Sequence, residues 1–456
     1  MGFTSLAFLL FFLIVWFFYL MLPGRFRTAW LLLASYVFLG SFKFSWLLVL
    51  LASTLTTYIC GLSLERLREA GEKKRRAAGF LFAFAVGVHV LALSFFKFNR
   101  FQILLPVGLS FYTFQAIGYL ADIWRGEEKA EKNFLVFALF QAFFPKLVQG
   151  PIERSGNLLR QIRELPQKRV RDIGRIRSGG LLILWGLTEK LLIADRIAIP
   201  VNAVYSQFGA FGGVEIVLAT FLYAFQIYCD FCGYTDIARG TAEILGFDLL
   251  CNFRRPYLAD SIQDFWRRWH LSLSSWLRDY VYIPLGGSRK GKLRRGINIM
   301  ATFLISGIWH GTGLHFLVWG GLHGLGQVFD IKNWHLPRWM KRVLVFLFVD
   351  LTWMVFRVNS LGDLKGMLLI IFQNFRPGDF AGMQLVPFEW LLVVLGILLV
   401  TGKDLANERG IALRPWILSR NAVARCLIYT GLISAVVIFG VYGAAYDTSG
   451  FLYTQF

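Results

Sequence analysis

The stretch INIMATFLISGIWHGTGLHFLVWGGLHGLGQV, from Ile297 to Val328, decides the fold class, because it is two apolar runs joined at Gly311, Thr312 and Gly313 with His310 at the joint. The runs 297–308 and 314–328 are each shorter than the roughly 20 residues a helix needs to cross a bilayer. Short apolar segments interrupted by glycine read as broken or re-entrant membrane helices, and irregular backbone at membrane depth survives only where it lines a cavity enclosed by protein or water. A titratable side chain at such a break marks a functional cavity, which makes His310 the first candidate for a catalytic residue.

Working outward, apolar runs recur at 2–22, 80–96, 102–121, 134–148, 179–199, 213–228, 343–356, 387–400 and 426–444, and 30–61 holds two spans around a break at 40–45. The expected architecture is an all-α polytopic membrane protein with about 11 to 13 membrane helices, short or re-entrant ones included. The whole chain, 1–456, reads as one membrane domain. The first run lacks a basic leader and is followed by Pro23 and Gly24, so it reads as a retained span rather than a removable signal.

Composition agrees. Of 456 residues 56% are hydrophobic and 17% aromatic, and mean hydropathy is +0.55, beyond what a soluble core needs. The formal net charge of +20 would raise nucleic acid as a partner in a soluble protein. Here the cations cluster between apolar runs, at 66–76, 154–177, 289–295 and 403–425, where they report topology and anionic headgroups rather than nucleic acid. The segment 64–78 reads as a solvated cytoplasmic connector. If every segment crosses once, 154–177 and the basic patch at 338–342 cannot both be cytoplasmic, so one lies on a re-entrant or interfacial segment or breaks the rule. With 403–425 cytoplasmic, the last helix places the tail, 447–456, outside the cytoplasm.

The five cysteines are scattered, and Cys229 and Cys232 form a C-x-x-C pair in apolar surroundings without a second pair or a nearby histidine, so they read as packing residues. His315 and His323 follow His310 at spacings of five and thirteen without interleaved Cys, Asp or Glu, a poor metal set; no metal is expected, and helix packing or partner hydrogen bonds explain them better.

Two segments precede the joint. SIQDFWRRWHLSLSSWLRDY, Ser261 to Tyr280, opens with an S-x-x-D cap and reads as one amphipathic helix with His270 on the face of Trp266, Leu273 and Leu277. On those residues alone, His270 is either a hydrogen-bonded structural histidine or a functional one. IPLGGSRKGKLRRG, Ile283 to Gly296, is a basic connector whose Arg289, Lys290, Lys292 and Arg294 serve as a topogenic loop, as a contact for the phosphates of an anionic acyl donor, or as both.

The strings LPVGLSFYTFQAIGYLADIWRG from Leu105, FFPKLVQGPIER from Phe143, QIYCDFCGYTDIARG from Gln226, NFRRPYLADSIQDFWRRWHLSLSSWLRDYVYIPLGGS from Asn252 and GIWHG from Gly307 occur in one order across most of the chain. Together they resemble the membrane-bound O-acyltransferases, most of all the bacterial branch that contains alginate O-acetyltransferase. The resemblance implies helices around a central tunnel, through which a cytoplasmic acyl thioester meets an acceptor from the opposite side. It makes His310 the catalytic histidine and His270 the second functional position. It also implies acetyl-CoA as co-substrate, no resident cofactor, a polysaccharide acceptor, an extracytoplasmic acetyltransferase partner, and a bacterial cytoplasmic membrane location.

The terminal FLYTQF, Phe451 to Phe456, resembles a C-terminal motif with a central tyrosine, which makes Tyr453 a candidate acyl carrier; an aromatic interfacial anchor is the competing reading. Cys232 and Thr235 stand where the family usually has serine, Arg239 where an apolar residue is common, and Thr454 where an aromatic is, which bears on acceptor and partner more than on reaction type. The chemistry expected is general-base attack: imidazole titrates near about 6.5 and phenol near about 10, so His310 is available to take a proton from a hydroxyl, whether of Tyr453 or a sugar. D-alanyl transfer to teichoic acid, peptidoglycan O-acetylation, and a polysaccharide transporter or export scaffold are the alternatives.

Overall fold

The computed structural model describes residues 1–98, 104–378 and 380–442, and among these every regular element is helical. Four helices, Phe44–Glu69, Glu72–Lys97, Gly213–Ile244 and Ala422–Phe439, are each long and apolar enough to cross a membrane, and Leu6–Met21 is a shorter apolar helix. Phe80, Leu91, Leu427 and Val437 project outward from them and are exposed. Such surfaces are solvated by lipid, not water, and the chain is an all-α multi-pass membrane protein.

Two compact units form, one from Met1–Ile183 with Thr235–Cys251, the other from Leu184–Tyr234 with Asn252–Phe456. In the first, Ser5 caps the opening helix by accepting the Phe8 N–H at 3.1 Å, and the break expected at 40–45 separates Gly24–Gly40 from Phe44–Glu69. The segment 64–78 departs from expectation. It is not a connector but the meeting of two long helices, turning only at Ala70 and Gly71, where Gly71 takes φ 89°. The span at 134–148 breaks at Phe143 because Pro145, which lacks an N–H, opens a new short helix. Beside it Lys146 is buried against the Gln115 side chain and the Gln141 carbonyl.

Glycines set the closest helix approaches. In the first unit a Cβ on Gly179 would lie 2.6 Å from the Gly240 carbonyl; in the second, a Cβ on Gly233 would lie 2.6 Å from that of Gly186. Small residues permit such contact between apolar helices, where dispersion must replace the hydrophobic effect.

In the second unit, Gly291–His310 and Leu314–Val328 form an antiparallel hairpin. Gly307 packs on the Phe316 carbonyl and Gly320 on that of Phe303, each 2.4 Å from a would-be Cβ. The first of these helices begins inside the basic connector, so its twenty residues reach about 30 Å although its apolar part is short. Arg342 and Glu408 pair at 3.2 Å, which brings the start of Arg338–Arg357 to the end of Pro387–Glu408. The basic patch at 338–342 therefore lies on the same side as 403–425, with the unanticipated thirteen-residue helix Leu361–Gln373 in the chain between. The span at 213–228 extends to Ile244, enclosing both cysteines of the C-x-x-C pair in one helix.

Ser261–Tyr280 is not one helix. Ser261 caps as expected, accepting the Asp264 N–H at 3.0 Å, but the helix stops at Trp266, and the chain re-enters helix only at Leu271. His270 sits between in a left-handed conformation, φ 44° and ψ 54°. The face shared with Trp266, Leu273 and Leu277 does not exist, because the periodicity is reset at His270.

Candidate active site

The imidazole of His310 ends its helix inside an aromatic enclosure. Trp309 lies 4.6 Å away between ring centres, Trp319 from the facing helix 4.9 Å at 86°, and Phe356 from Arg338–Arg357 5.1 Å at 82°. Only 4% of the residue is exposed. Gly311 is required next to it, since a Cβ there would fall 2.0 Å from the Phe316 ring. The tight glycine contacts of the hairpin and the ring of Phe316 thus fix where the imidazole stands.

His270 approaches the same tryptophan from another segment. Its ring lies 6.4 Å from Trp309 and stands at 90° to Phe231 at 4.7 Å, and the residue is 1% exposed. A left-handed backbone is costly for a residue with a Cβ, by about 1–2 kcal/mol. The neighbouring chain holds it: the Leu271 N–H donates to the Asn252 carbonyl at 2.9 Å, the Ser272 N–H to Asn252 Oδ1 at 3.3 Å, and the Arg254 N–H to the Arg268 carbonyl at 2.9 Å. Strain retained in a surrounding that over-determines it is a mark of functional sites. On the other side of the clasp, Arg268 pairs with Asp264 at 2.8 Å and with Glu408 at 3.0 Å.

His323 belongs to the scaffold. Trp266 Nε1–H donates to its Nδ1 at 3.2 Å, so its proton resides on Nε2, which lies 3.0 Å from Thr352 Oγ1, itself a donor to the Val349 carbonyl at 2.7 Å. Both ring nitrogens are satisfied within packed side chains. His89 is likewise held, with Nδ1 2.8 Å from the Ala85 carbonyl and Nε2 3.0 Å from Thr57 Oγ1.

The basic residues stand apart. Arg289, Lys290, Lys292 and Arg294 are exposed at the start of the helix that His310 ends, whose first residue, Gly291, stands about 28 Å along its axis from His310. The Gly287 carbonyl accepts from Asn298 Nδ2 at 2.9 Å, which pins their loop to the helix. Cations at a helix N-terminus oppose the macrodipole, while that same end attracts anions. The structure therefore brings His270 and His310 to one tryptophan but separates the basic set from them by the length of a helix. Tyr453 lies outside the described residues.

Sequence reasoning passed over Asn252, Trp319 and Phe356. Asn252 had a usable signal, since asparagine bonds neighbouring backbone groups in irregular chain. The two aromatics had none in a chain this rich in them.

The family model of membrane-bound O-acyltransferases matches residues 127–332, which include both histidines and the basic segment. A protein of Pseudomonas fluorescens named "Probable alginate O-acetylase" is 35% identical over 374 residues, 79% of this chain and 73% of that protein. A peptidoglycan O-acetyltransferase of Helicobacter pylori is 31% identical over 395 residues, 75% of this chain and 74% of it. A teichoic acid D-alanyltransferase of Streptococcus thermophilus is 27% identical over 235 residues, 49% of this chain and 56% of it.

Proposed function

The chain belongs to the membrane-bound O-acyltransferase family and is an O-acetyltransferase, and from that premise we propose that it carries an acetyl group from cytoplasmic acetyl-CoA to a polysaccharide outside the cytoplasmic membrane, alginate being the acceptor. The observation that carries the reading is the convergence of two histidine rings on Trp309, one at the end of a helix and one held in a strained turn.

In this mechanism a hydroxyl oxygen attacks the thioester carbonyl carbon while His310 accepts the hydroxyl proton. The carbon–oxygen bond forms, the carbon–sulfur bond breaks, and the imidazolium returns the proton to the departing thiolate. The carbonyl end of the helix favours the positive charge that builds on the ring in between. Aromatic walls exclude water, which would otherwise hydrolyse the thioester. His270 orients or polarises the reacting groups. The basic segment is too far from His310 to touch the thioester, so its share is the phosphate end of an elongated donor.

Hand-over of the acetyl group through Tyr453 to an extracytoplasmic acetyltransferase partner belongs to the same proposal, and full activity of Tyr453→Phe would remove that step alone. The acceptor assignment rests on the higher identity to the alginate relative and the larger share of this chain that it matches. The test is reconstitution of the full chain in liposomes with acetyl-labelled acetyl-CoA on one face, together with mass analysis of cell polymers with and without the protein. Labelled ester on alginate is the expected result. Acetylated peptidoglycan or D-alanylated teichoic acid would reassign the acceptor, and labelled donor left untouched beside any of these polymers would refute acetyl transfer.

A further inference from the structure

Several buried serine and threonine hydroxyls in these helices return to their own backbone. Ser35 donates to the Leu31 carbonyl at 2.7 Å, Thr54 to Leu50 at 2.7 Å, Thr220 to Ile216 at 2.9 Å and Thr241 to Ile237 at 2.7 Å. In the helix that carries His310, Thr302 does the same, donating to Asn298 at 2.7 Å. Bonding the carbonyl four residues back is the local way to satisfy such a group where water does not reach.

Ser306, four residues further along, breaks this pattern. It is 0% exposed, and its Oγ has no hydrogen-bond partner among the described residues. Unsatisfied buried hydroxyls are rare because they forgo solvation without recompense, and one that persists calls for a functional explanation. Its position supplies one. Ser306 and His310 are four apart on a regular helix and so stack on one face with Cβ atoms about 6 Å apart. From the facing helix Trp319, whose ring meets the imidazole edge to face at 4.9 Å, also keeps its indole N–H buried and without an acceptor among the described residues. Two unused donors therefore flank the group that takes the proton.

We propose that Ser306 is a catalytic residue whose O–H, aided by the Trp319 N–H, binds the acetyl carbonyl oxygen. The inference rests on the general-base reading of His310. As the acceptor oxygen bonds to the carbonyl carbon and its proton passes to His310, the carbonyl electron pair moves onto its oxygen, and Ser306 donates to the resulting oxyanion. When the carbonyl re-forms, the carbon–sulfur bond breaks and the thiolate takes the proton back from the imidazolium. A hydroxyl without a ground-state partner needs to break no bond before it serves the transition state, which is the condition for preorganised stabilisation. It also keeps the acetyl carbon within reach of both the attacking hydroxyl and the imidazole.

The experiment uses the full chain in liposomes with acetyl-CoA and a polysaccharide acceptor, comparing wild type, Ser306→Ala, Ser306→Thr and His310→Ala. Ser306→Ala should lower kcat about 100- to 1,000-fold with KM for acetyl-CoA little changed. Its melting temperature should be equal or higher, because no protein hydrogen bond is lost. Ser306→Thr, which keeps the hydroxyl, should recover most of the rate. A wild-type kcat in Ser306→Ala would overturn the proposal, as would an activity loss that tracks a fall in melting temperature. If His310→Ala is inactive while Ser306→Ala is fully active, only the oxyanion role fails; if His310→Ala is active, the base reading fails first.

Discussion

His270 and Trp309 lie 6.4 Å apart, ring centre to ring centre, although thirty-eight residues of chain separate them, and Trp309 is the residue before His310. Two histidine rings thus converge on one indole, and backbone features set both: a left-handed turn at His270 and the tight glycine contacts beside His310.

The left-handed turn at His270 gives a prediction that separates function from stability. Glycine adopts φ 44° without the Cβ penalty, so in His270→Gly about 1 kcal/mol of relieved strain offsets part of the cost of the cavity left by the buried ring, and its melting temperature should fall less than that of His270→Ala. Acetyl transfer should nevertheless be lost. Thermal unfolding in detergent and labelled-acetyl transfer on the same sample would check this, and an active His270→Gly would show the imidazole to be dispensable.

The hairpin that carries His310 depends on backbone contact at Gly307. With a would-be Cβ 2.4 Å from the Phe316 carbonyl, Gly307→Leu should force the two helices apart. The expected cost is about 1–3 kcal/mol or more, with activity reduced in parallel. Gly321→Ala on the same hairpin, where nothing lies within 4 Å of the added methyl, is the control and should be silent.

Glu408, the last residue of its helix and beyond the apolar 387–400 stretch, gives the pH dependence. Partial burial pushes its carboxyl up, but the hydrogen bond from Arg268 and the charges of Arg268, Arg255 and Arg342 outweigh that and hold it below its ordinary value of 4.5. A depressed carboxyl contributes stability that is fully present above its unfolded value and is lost as pH falls through the folded one. The cluster should therefore stay intact from neutrality to about pH 4.5 and loosen below it. Glu408→Gln should flatten that part of the stability profile and lower the plateau, as followed by melting temperature between pH 3 and pH 7.

The fold class and the break after His310 were legible because apolar run length and glycine breaks are local signals. The Leu314–Val328 helix follows the predicted run in full, and the break at Gly40 stands where sequence places it. What was not legible depends on contacts distant in sequence. The break at His270 is imposed by Asn252 and Arg254, fourteen or more residues upstream, against a pattern that reads locally as one helix. Hydropathy hid the true start of the His310 helix, since its first turns are basic. Likewise, the sharing of Glu408 by Arg255, Arg268 and Arg342 assembles a side of the protein from three segments that sequence shows only as separate charges.

Charge reversal in the basic segment tests its role as donor contact. Arg289→Glu with Lys292→Glu should raise KM for acetyl-CoA several-fold with kcat little changed, since these groups lie at the start of the helix that His310 ends, far from the chemistry. Wild-type KM should in turn rise with salt, as exposed charge contacts are screened. An unaltered KM would reduce the segment to a topogenic one.

The most direct test is the O-acetyl content of exopolysaccharide from cells whose only copy of the protein is His310→Ala, with membrane level and melting temperature matched to wild type. Proton acceptance by this imidazole requires that the ester signal vanish. Polysaccharide acetylated to the wild-type extent would contradict it.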